Sequence, residues 1–133
     1  MRCLRCDRGD IVVGWLVRVI ALLAVVGVMS FDALSVLSAR LSVEDQAAAA
    51  ARAAADTWST THVAQTAFDS AWRSAAEANP TNDVDVASFR IDPSGAAHVT
   101  VSREAPTFVM RMIPQLRELA VVRSVVVRAS TVS

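Results

Sequence analysis

The sequence predicts an α+β protein carried on one membrane-spanning helix, and three features of its 133 residues point to that fold class. Residues 11–31 are almost entirely apolar, residues 32–58 contain neither proline nor glycine, and after residue 84 the apolar spacing changes from helical to alternating. The part beyond the membrane is long enough for one domain and too short for two. We expect the transmembrane helix to continue into a long exported helix, on which a small antiparallel sheet of about three strands packs.

Charge and composition exclude several classes of function. The 13 basic residues, all of them arginine, balance 13 acids, so the formal net charge is +0 and no basic excess favours nucleic acid as a partner. Hydrophobic residues make up 53% of the chain, which argues against a disordered protein. Both cysteines precede residue 11, so no disulfide framework can stabilise the rest of the chain.

The apolar stretch 11–31 has the length of a transmembrane helix. At 1.5 Å per residue it spans roughly 30 Å, the thickness of the hydrocarbon core of a bilayer. Three arginines precede it in the basic tail 1–10, whereas Arg40 is the only basic residue among residues 32–51. The positive-inside bias therefore predicts a single-pass cell-membrane protein with a cytoplasmic N-terminus and an extracytoplasmic domain 32–133. A cleavable signal peptide is the alternative, although the stretch is long for one.

Three residues in or near this stretch need an explanation of their own. Arg18 costs about 2.5–3.5 kcal/mol inside a bilayer on insertion scales. Either its long side chain reaches back to the cytoplasmic interface, or it pairs with an acid of a neighbouring transmembrane helix. Cys3 and Cys6 form a lone CxxC pair without the further ligands that a zinc site needs. We expect reduced cytosolic thiols there, with palmitoylation as the alternative.

Two helices are predicted after the membrane. The helix 32–58 includes the alanine-rich run 47–55, which has the highest intrinsic helix propensity in the chain. Its alanine and valine face permits close approach of another backbone, and we expect that face to be core under its own sheet rather than a subunit contact. The hydroxyls of residues 59–61 are expected to cap a second helix, 63–78, which ends at Asn79-Pro80.

The rest of the chain predicts the sheet. A hairpin is expected over 84–102, with its turn at Asp92-Pro93-Ser94-Gly95 and with a bulge in its first strand, where the apolar phase shifts. A short helix follows over 106–118 and is split at Pro114. The β-branched run 121–132 predicts a last strand at the centre of the sheet.

Residues suited to catalysis or metal binding are scarce. Nucleophilic catalysis needs a base near a Ser or Cys, whereas His62 and His98 lie at a helix junction and on a strand face. The aspartates between residues 83 and 92 lack the series of oxygen ligands of a calcium loop, and the four glycines form no phosphate-binding motif. We therefore predict that the protein is not an enzyme and has no catalytic residue, cofactor or metal site.

The layout as a whole resembles a known family. Asp7-Arg8-Gly9 stands immediately before the valine-rich apolar stretch, and a long alanine-rich helix and a hairpin follow. The C-terminal part, VTVSREAPTFVMRMIPQLRELAVVRSVVVRAS, places a strand, a proline-bounded apolar helix and a final strand in that order. This layout is similar to that of the TadE/TadG-like proteins of tight-adherence (Flp) pilus systems, over nearly the whole chain but in architecture more than in exact motif. The resemblance implies a pseudopilin-like fold.

The resemblance also implies a processing site. Family members often carry a glycine after which the prepilin peptidase cuts, and a glutamate five residues later that pairs with the new amino terminus of a neighbour. Gly9 matches the position before the cut, and Asp10 would be the first mature residue. Gly14 stands where the glutamate is expected, so both a cleaved and a permanently anchored form are compatible with the sequence. In a cleaved form, Arg18 could pair with an acid on a neighbouring subunit.

Two functions follow as hypotheses. The resemblance implies a minor pilin or an assembly component of a Flp-type pilus or related secretion system. Its partners would be the membrane, the prepilin peptidase, and pilin-like or assembly-platform proteins or further copies of the chain. The alternative is a generic single-pass envelope protein whose exported domain binds a ligand or a cell-wall partner. Genes for a secretion ATPase and two platform membrane proteins nearby would favour the first hypothesis.

Overall fold

The computed structural model describes residues 7–130, with side chains described from residue 11 onward. Helices and strands follow one another in the mixed order expected of an α+β protein, which confirms the predicted fold class at that level. The elements are α1 (Asp7–Thr61), α2 (Ala64–Ala78), β1 (Asp83–Val84), β2 (Arg90–Ile91), β3 (Ala97–Glu104), α3 (Val109–Met112), a 3₁₀ helix (Pro114–Ala120) and β4 (Val121–Arg128).

The first helix, α1, is continuous over 55 residues, which confirms the prediction that the helix 11–31 continues into the helix 32–58. Large apolar side chains are exposed along its first half; Trp15 and Leu22, for example, are each 65% exposed. Within the described part of the chain, α1 is the one helix that is long and apolar enough to cross a membrane, and its most apolar stretch is not buried by the rest of the protein. The molecule therefore consists of an exposed apolar rod, residues 11–31, and a folded domain that begins at residue 32 on the same helix.

The second helix folds back along the second half of α1. Thr57 Oγ1 donates a hydrogen bond to Ser70 Oγ at 2.9 Å, and Asn82 Nδ2 donates to Gln46 Oε1 at 2.8 Å, so the chain runs antiparallel to α1 after the turn. Alanine supplies most of the buried helix surface, which lets the two backbones approach closely and confirms the prediction that the alanine face is core. The fully buried helix alanines are Ala47, Ala50, Ala51, Ala54, Ala55, Ala67, Ala71 and Ala75.

The turn between the helices differs from the prediction. Thr60 Oγ1 and Thr61 Oγ1 donate to the carbonyl oxygen of Thr57 at 2.9 and 2.8 Å, and no side chain caps the start of α2. The prediction that these hydroxyls cap α2 is therefore wrong. They lie in the last turn of α1, where a hydroxyl can reach the carbonyl oxygen three or four residues back. His62 makes the turn itself, with a left-handed φ of 54°.

The sheet is centred on β3. β4 pairs with it antiparallel over its whole length, from Ala97 opposite Arg128 to Glu104 opposite Val121. β1 and β2 share its other edge. The prediction that the last strand is central is therefore wrong. Burial alternates along β4, as it does in a strand with one exposed face.

The first strand of the predicted hairpin is divided into β1 and β2 instead of carrying a bulge. Asp85 Oδ1 accepts the N–H of Ala87 at 3.0 Å, and the N–H of Phe89 donates to the carbonyl oxygen of Val86 at 3.3 Å. The aspartate side chain thus offers the backbone an alternative to the sheet ladder at this point. The sheet consequently has four strands where about three were expected.

Two local predictions from proline and glycine are confirmed. The turn after β2 is closed by the N–H of Gly95 donating to the carbonyl oxygen of Asp92 at 2.8 Å, and Gly95 has a φ of 82°. The short helix predicted over 106–118 is split before Pro114 into α3 and the 3₁₀ helix. Ile113, which precedes the proline, is extended, as the proline ring favours.

The two ends of the domain can be told apart by their contacts to α1. Ser130, after β4, donates its hydroxyl hydrogen to Asp56 Oδ1 at 2.9 Å, near the end of α1. Ser35 Oγ donates to the carbonyl oxygen of Pro106 at 2.7 Å, near the apolar stretch. The connection between β3 and β4 therefore lies beside the boundary at residue 31, and the hairpin turn lies at the far end of the domain.

Candidate functional site

The most distinctive polar contact of the molecule lies where the apolar stretch of α1 ends. Phe31 is the last residue of that stretch and is 54% exposed, whereas Asp32 is only 2% exposed. A buried carboxylate needs hydrogen-bond donors, because burial removes it from water. The donors come from the connection between β3 and β4, which lies beside this point of α1.

Asp32 holds the start of α3 through three backbone N–H groups. Its Oδ1 accepts the N–H of Phe108 at 2.8 Å, and its Oδ2 accepts the N–H of Val109 at 2.8 Å and of Met110 at 3.3 Å. The first N–H groups of a helix have no partner within the helix itself, and a carboxylate from another segment satisfies them here. The contact joins residues that are 76 to 78 positions apart in the sequence.

These hydrogen bonds also change the acidity of the carboxyl group. The bond from Phe108 is the largest influence and lowers the pKa of Asp32 below its ordinary value of 3.8; desolvation opposes it, and the bonds from Val109 and Met110 lower the pKa further. The net effect is a lowered pKa, because donors to the carboxylate favour its charged form. Asp32 is therefore charged at neutral pH and keeps its acceptors available.

Two further contacts fasten the same connection to α1. The rings of Phe31 and Phe108 lie 5.7 Å apart between centroids with a tilt of 44°. The hydroxyl of Ser35, one turn after Asp32, donates to the carbonyl oxygen of Pro106. We call residues 106–113 the boundary segment, because its contacts place it beside the end of the apolar stretch.

The boundary segment exposes apolar side chains that a core would normally bury. Phe108 is 67% exposed and Met112 is 83% exposed. An open groove of about 540 Å³ lies on this surface and is bordered on the α1 side by Phe31. Apart from one arginine, the groove is lined mainly by apolar or small side chains: Phe31, Pro106, Thr107, Phe108, Arg111 and Met112.

The site residues predicted from the sequence lie elsewhere along α1. The backbone of Gly9 and Asp10 belongs to the first turn of α1, so the peptide bond proposed for cleavage lies within a helix. Arg18 is exposed on the apolar stretch, and residues 11–31 contain no acid, so an acidic partner would have to come from another chain. Cys3 and Cys6 lie outside the described residues. The structure does not bring Gly9, Asp10 or Arg18 together with the boundary segment.

A second polar cluster lies at the far end of the domain. His98 Nε2 lies 2.7 Å from Asp92 Oδ2, and Arg90 Nη2 lies 3.4 Å from His98 Nδ1. A neutral ring protonated at Nε2 satisfies both contacts, donating to the carboxylate and accepting from the guanidinium. These side chains brace the hairpin turn against β3. Among the side chains described, those of residues 11–130, no group of three or more His, Cys, Asp or Glu has an arrangement that could hold a metal ion.

Comparison with known proteins adds no relative to these observations. No protein-family model matches the sequence, and neither a curated protein nor a solved structure matches it. The functional argument therefore depends on the geometry of the chain itself.

Asp32 was not selected from the sequence. Its signal is an acid directly after an apolar stretch of membrane-spanning length, a place where a charge would ordinarily lie in water. Its burial depends on the boundary segment, and no local pattern connects residues so far apart in the chain.

Proposed function

We propose that the protein is a membrane-anchored minor pilin or pseudopilin, or an assembly component, of a Flp-type (tight-adherence) pilus or related secretion system. Its apolar rod crosses the cell membrane from a cytoplasmic N-terminus and packs against helices of other subunits. Its α+β domain lies outside the membrane and makes the remaining contacts of the assembly. The protein acts by packing rather than by catalysis.

One observation carries this proposal above the alternatives. α1 continues through residue 31 with no break, so the exposed apolar rod and the first helix of the domain are one rigid element. A rod that serves only as a tether needs no such continuity, and a flexible linker would suffice. A continuous helix instead fixes the domain relative to its membrane segment, as a subunit stacked in a helical assembly requires.

The rod has surface features suited to helix packing in a bilayer. Its exposed side chains are mostly Val, Leu, Ile and Ala, and apart from adjacent residues and the helix backbone itself no atom lies within 4 Å of where a Cβ of Gly14 or Gly27 would be. Small residues let a second helix approach closely in lipid, where packing drives association. Arg18 lies on the same rod and would attract an acid on a neighbouring helix.

Crosslinking along α1 in cells tests the packing role. A photoreactive residue at Leu22 or Leu23, both more than 60% exposed, should crosslink to pilin-like or platform proteins or to a second copy. A photoreactive residue at Glu44, exposed on the same helix within the domain, serves as the matched control. Crosslinks to lipid alone at both rod positions would contradict the proposal and favour a generic anchored envelope protein.

Intact-mass analysis of the membrane-extracted protein tests whether the chain is processed. In cells with an active prepilin peptidase, a mature form that begins at Asp10 would support incorporation as a pseudopilin. A full-length form that retains Cys3 and Cys6 would exclude processing and leave a permanently anchored assembly or envelope protein. The Gly9→Leu variant provides the control, because blocking the glycine position should abolish any cleavage.

A further inference from the structure

The boundary segment carries a feature that neither its own folding nor helix packing by the rod explains. Phe108 and Met112 expose most of their surface, although the domain has an alanine-rich core on which larger apolar side chains could pack. Large exposed apolar side chains that cluster together mark an interaction surface. The question is what covers them.

The position of the boundary segment along α1 indicates what covers these two side chains. Phe31 ends the apolar stretch, and the ring of Phe108 lies against it, so the apolar surface of the rod continues onto the boundary segment without a polar gap. If residues 11–31 fill the roughly 30 Å hydrocarbon core, side chains beside residue 31 lie at the level of the lipid headgroups. The same surface that meets lipid along the rod therefore meets lipid here.

The composition of the segment matches that level of a bilayer. Aromatic and flexible apolar side chains stand beside Arg111, which is exposed and lines the same groove. Arginine can bury its aliphatic part among acyl chains while its guanidinium binds lipid phosphate. Segments of this kind lie in the membrane interface rather than across it.

We infer that the boundary segment is a phospholipid-binding surface, with Phe108 and Met112 among the acyl chains and the guanidinium of Arg111 at lipid phosphates. The inference rests on the proposed membrane anchoring of α1. Asp32 and Ser35 fasten the segment to the helix that crosses the bilayer. The domain is thus attached to the membrane at two points, through α1 and through the boundary segment.

Spin-label depth measurements test this inference on the full chain in phosphatidylcholine vesicles that contain phosphatidylglycerol. Cys3 and Cys6 are replaced by serine, and one label is placed in the Met112→Cys variant. Two controls replace residues that are also mostly exposed: Leu22→Cys at the middle of the rod and Val125→Cys on the outer face of the sheet. Collision with oxygen reports lipid, and collision with a water-soluble nickel complex reports water.

We expect the label at position 112 to collide several-fold less with the nickel complex than the label at 125, and to favour oxygen as the label at 22 does. If the label at 112 collides with the nickel complex as often as the label at 125, while the label at 22 is in lipid, the inference is overturned. The membrane anchoring of α1 would still stand. Shielding of position 112 from both reagents would indicate a protein contact and overturn it as well. Frequent collision of the label at 22 with the nickel complex would refute the membrane anchoring of α1 itself.

Discussion

At the scale of single residues, Asp32 attaches the boundary segment to α1. It is charged and buried, and its two oxygens accept three N–H groups from a distant segment. Charge-assisted hydrogen bonds are stronger than neutral ones, and a buried donor that loses its acceptor destabilises the folded state. Removal of this one side chain should therefore loosen the boundary segment without disturbing the sheet.

Replacement of Asp32 by alanine should accelerate amide hydrogen exchange at Phe108, Val109 and Met110 by on the order of tenfold or more, since each amide loses its acceptor. Exchange in β3 should be unchanged. The Ser35→Ala control removes the neighbouring bond to Pro106 and should leave those three amides protected. Equal exchange in the wild type and in Asp32→Ala would mean that the carboxylate does not hold the segment.

The lowered pKa of Asp32 gives the attachment a definite dependence on pH. A carboxyl whose pKa is lower in the folded state stabilises that state above its ordinary pKa, and the contribution is lost as pH falls through the lowered value. The amide chemical shifts of Phe108 and Val109 should therefore change with a midpoint below 3.8, the ordinary pKa of the carboxyl. This change should be absent in Asp32→Asn. An inflection above pH 5 that Asp32→Asn abolishes would contradict the direction of the shift.

Gly95 is the second residue with a sharply testable role. Its φ of 82° is strained for any side chain with a Cβ, while the nearest atom to such a Cβ, Trp58 Cδ1, lies 3.8 Å away and causes no clash. Gly95→Ala should therefore lower the free energy of unfolding by about 1 kcal/mol through backbone strain alone. Denaturant unfolding of the detergent-solubilised chain measures this, with Ser94→Ala in the same turn as the control. A matching midpoint in both variants would rule out the strain.

At the scale of elements, the alanine-rich part of α1 sets how closely α2 and the sheet can approach. Ala50 is fully buried and its neighbour Ala49 is exposed on the same helix. Ala50→Leu should lower the free energy of unfolding by about 1–3 kcal/mol through overpacking, and Ala49→Leu should change it by less than about 0.5 kcal/mol. Thermal unfolding of the two variants decides the point. Equal stability would mean that this face has room for larger side chains.

The elements also show which signals in the sequence are sufficient. The long helix, the turn at Gly95 and the split before Pro114 follow from propensity and from the backbone limits of glycine and proline, which act locally. The division of the first hairpin strand depends on one carboxylate, that of Asp85, competing with the ladder. The edge position of β4 depends on which strands pair with β3, and no single strand specifies that choice.

The candidate site was less predictable than the fold because, like the edge position of β4, it depends on contacts between distant segments. Gly9, Asp10 and Arg18 were selected because motif positions and charges in an apolar stretch are visible in the sequence. The contact of Asp32 with the boundary segment is not visible there, because it joins residues 76 positions apart and uses backbone N–H groups that every segment carries. Burial of a charged group is a tertiary property that a sequence pattern does not contain.

At the scale of the whole molecule, the protein is built on one long helix whose two halves have different surroundings. Its first half exposes apolar side chains on all sides, and its second half buries alanines under α2 and the sheet. The boundary segment lies at the junction of the two halves and closes the domain on the side that faces the apolar rod. We propose that the rod crosses the membrane and that the domain lies outside it.

Cysteine labelling in intact cells that lack a prepilin peptidase tests this claim most directly. A membrane-impermeant maleimide should label Ser94→Cys, at the exposed turn farthest from the boundary, without permeabilisation. Native Cys3 and Cys6 should react only after the membrane is opened, because the arginine-rich tail stays in the cytoplasm. Labelling of the native cysteines in intact cells, with no labelling at position 94, would reverse the topology and contradict the account.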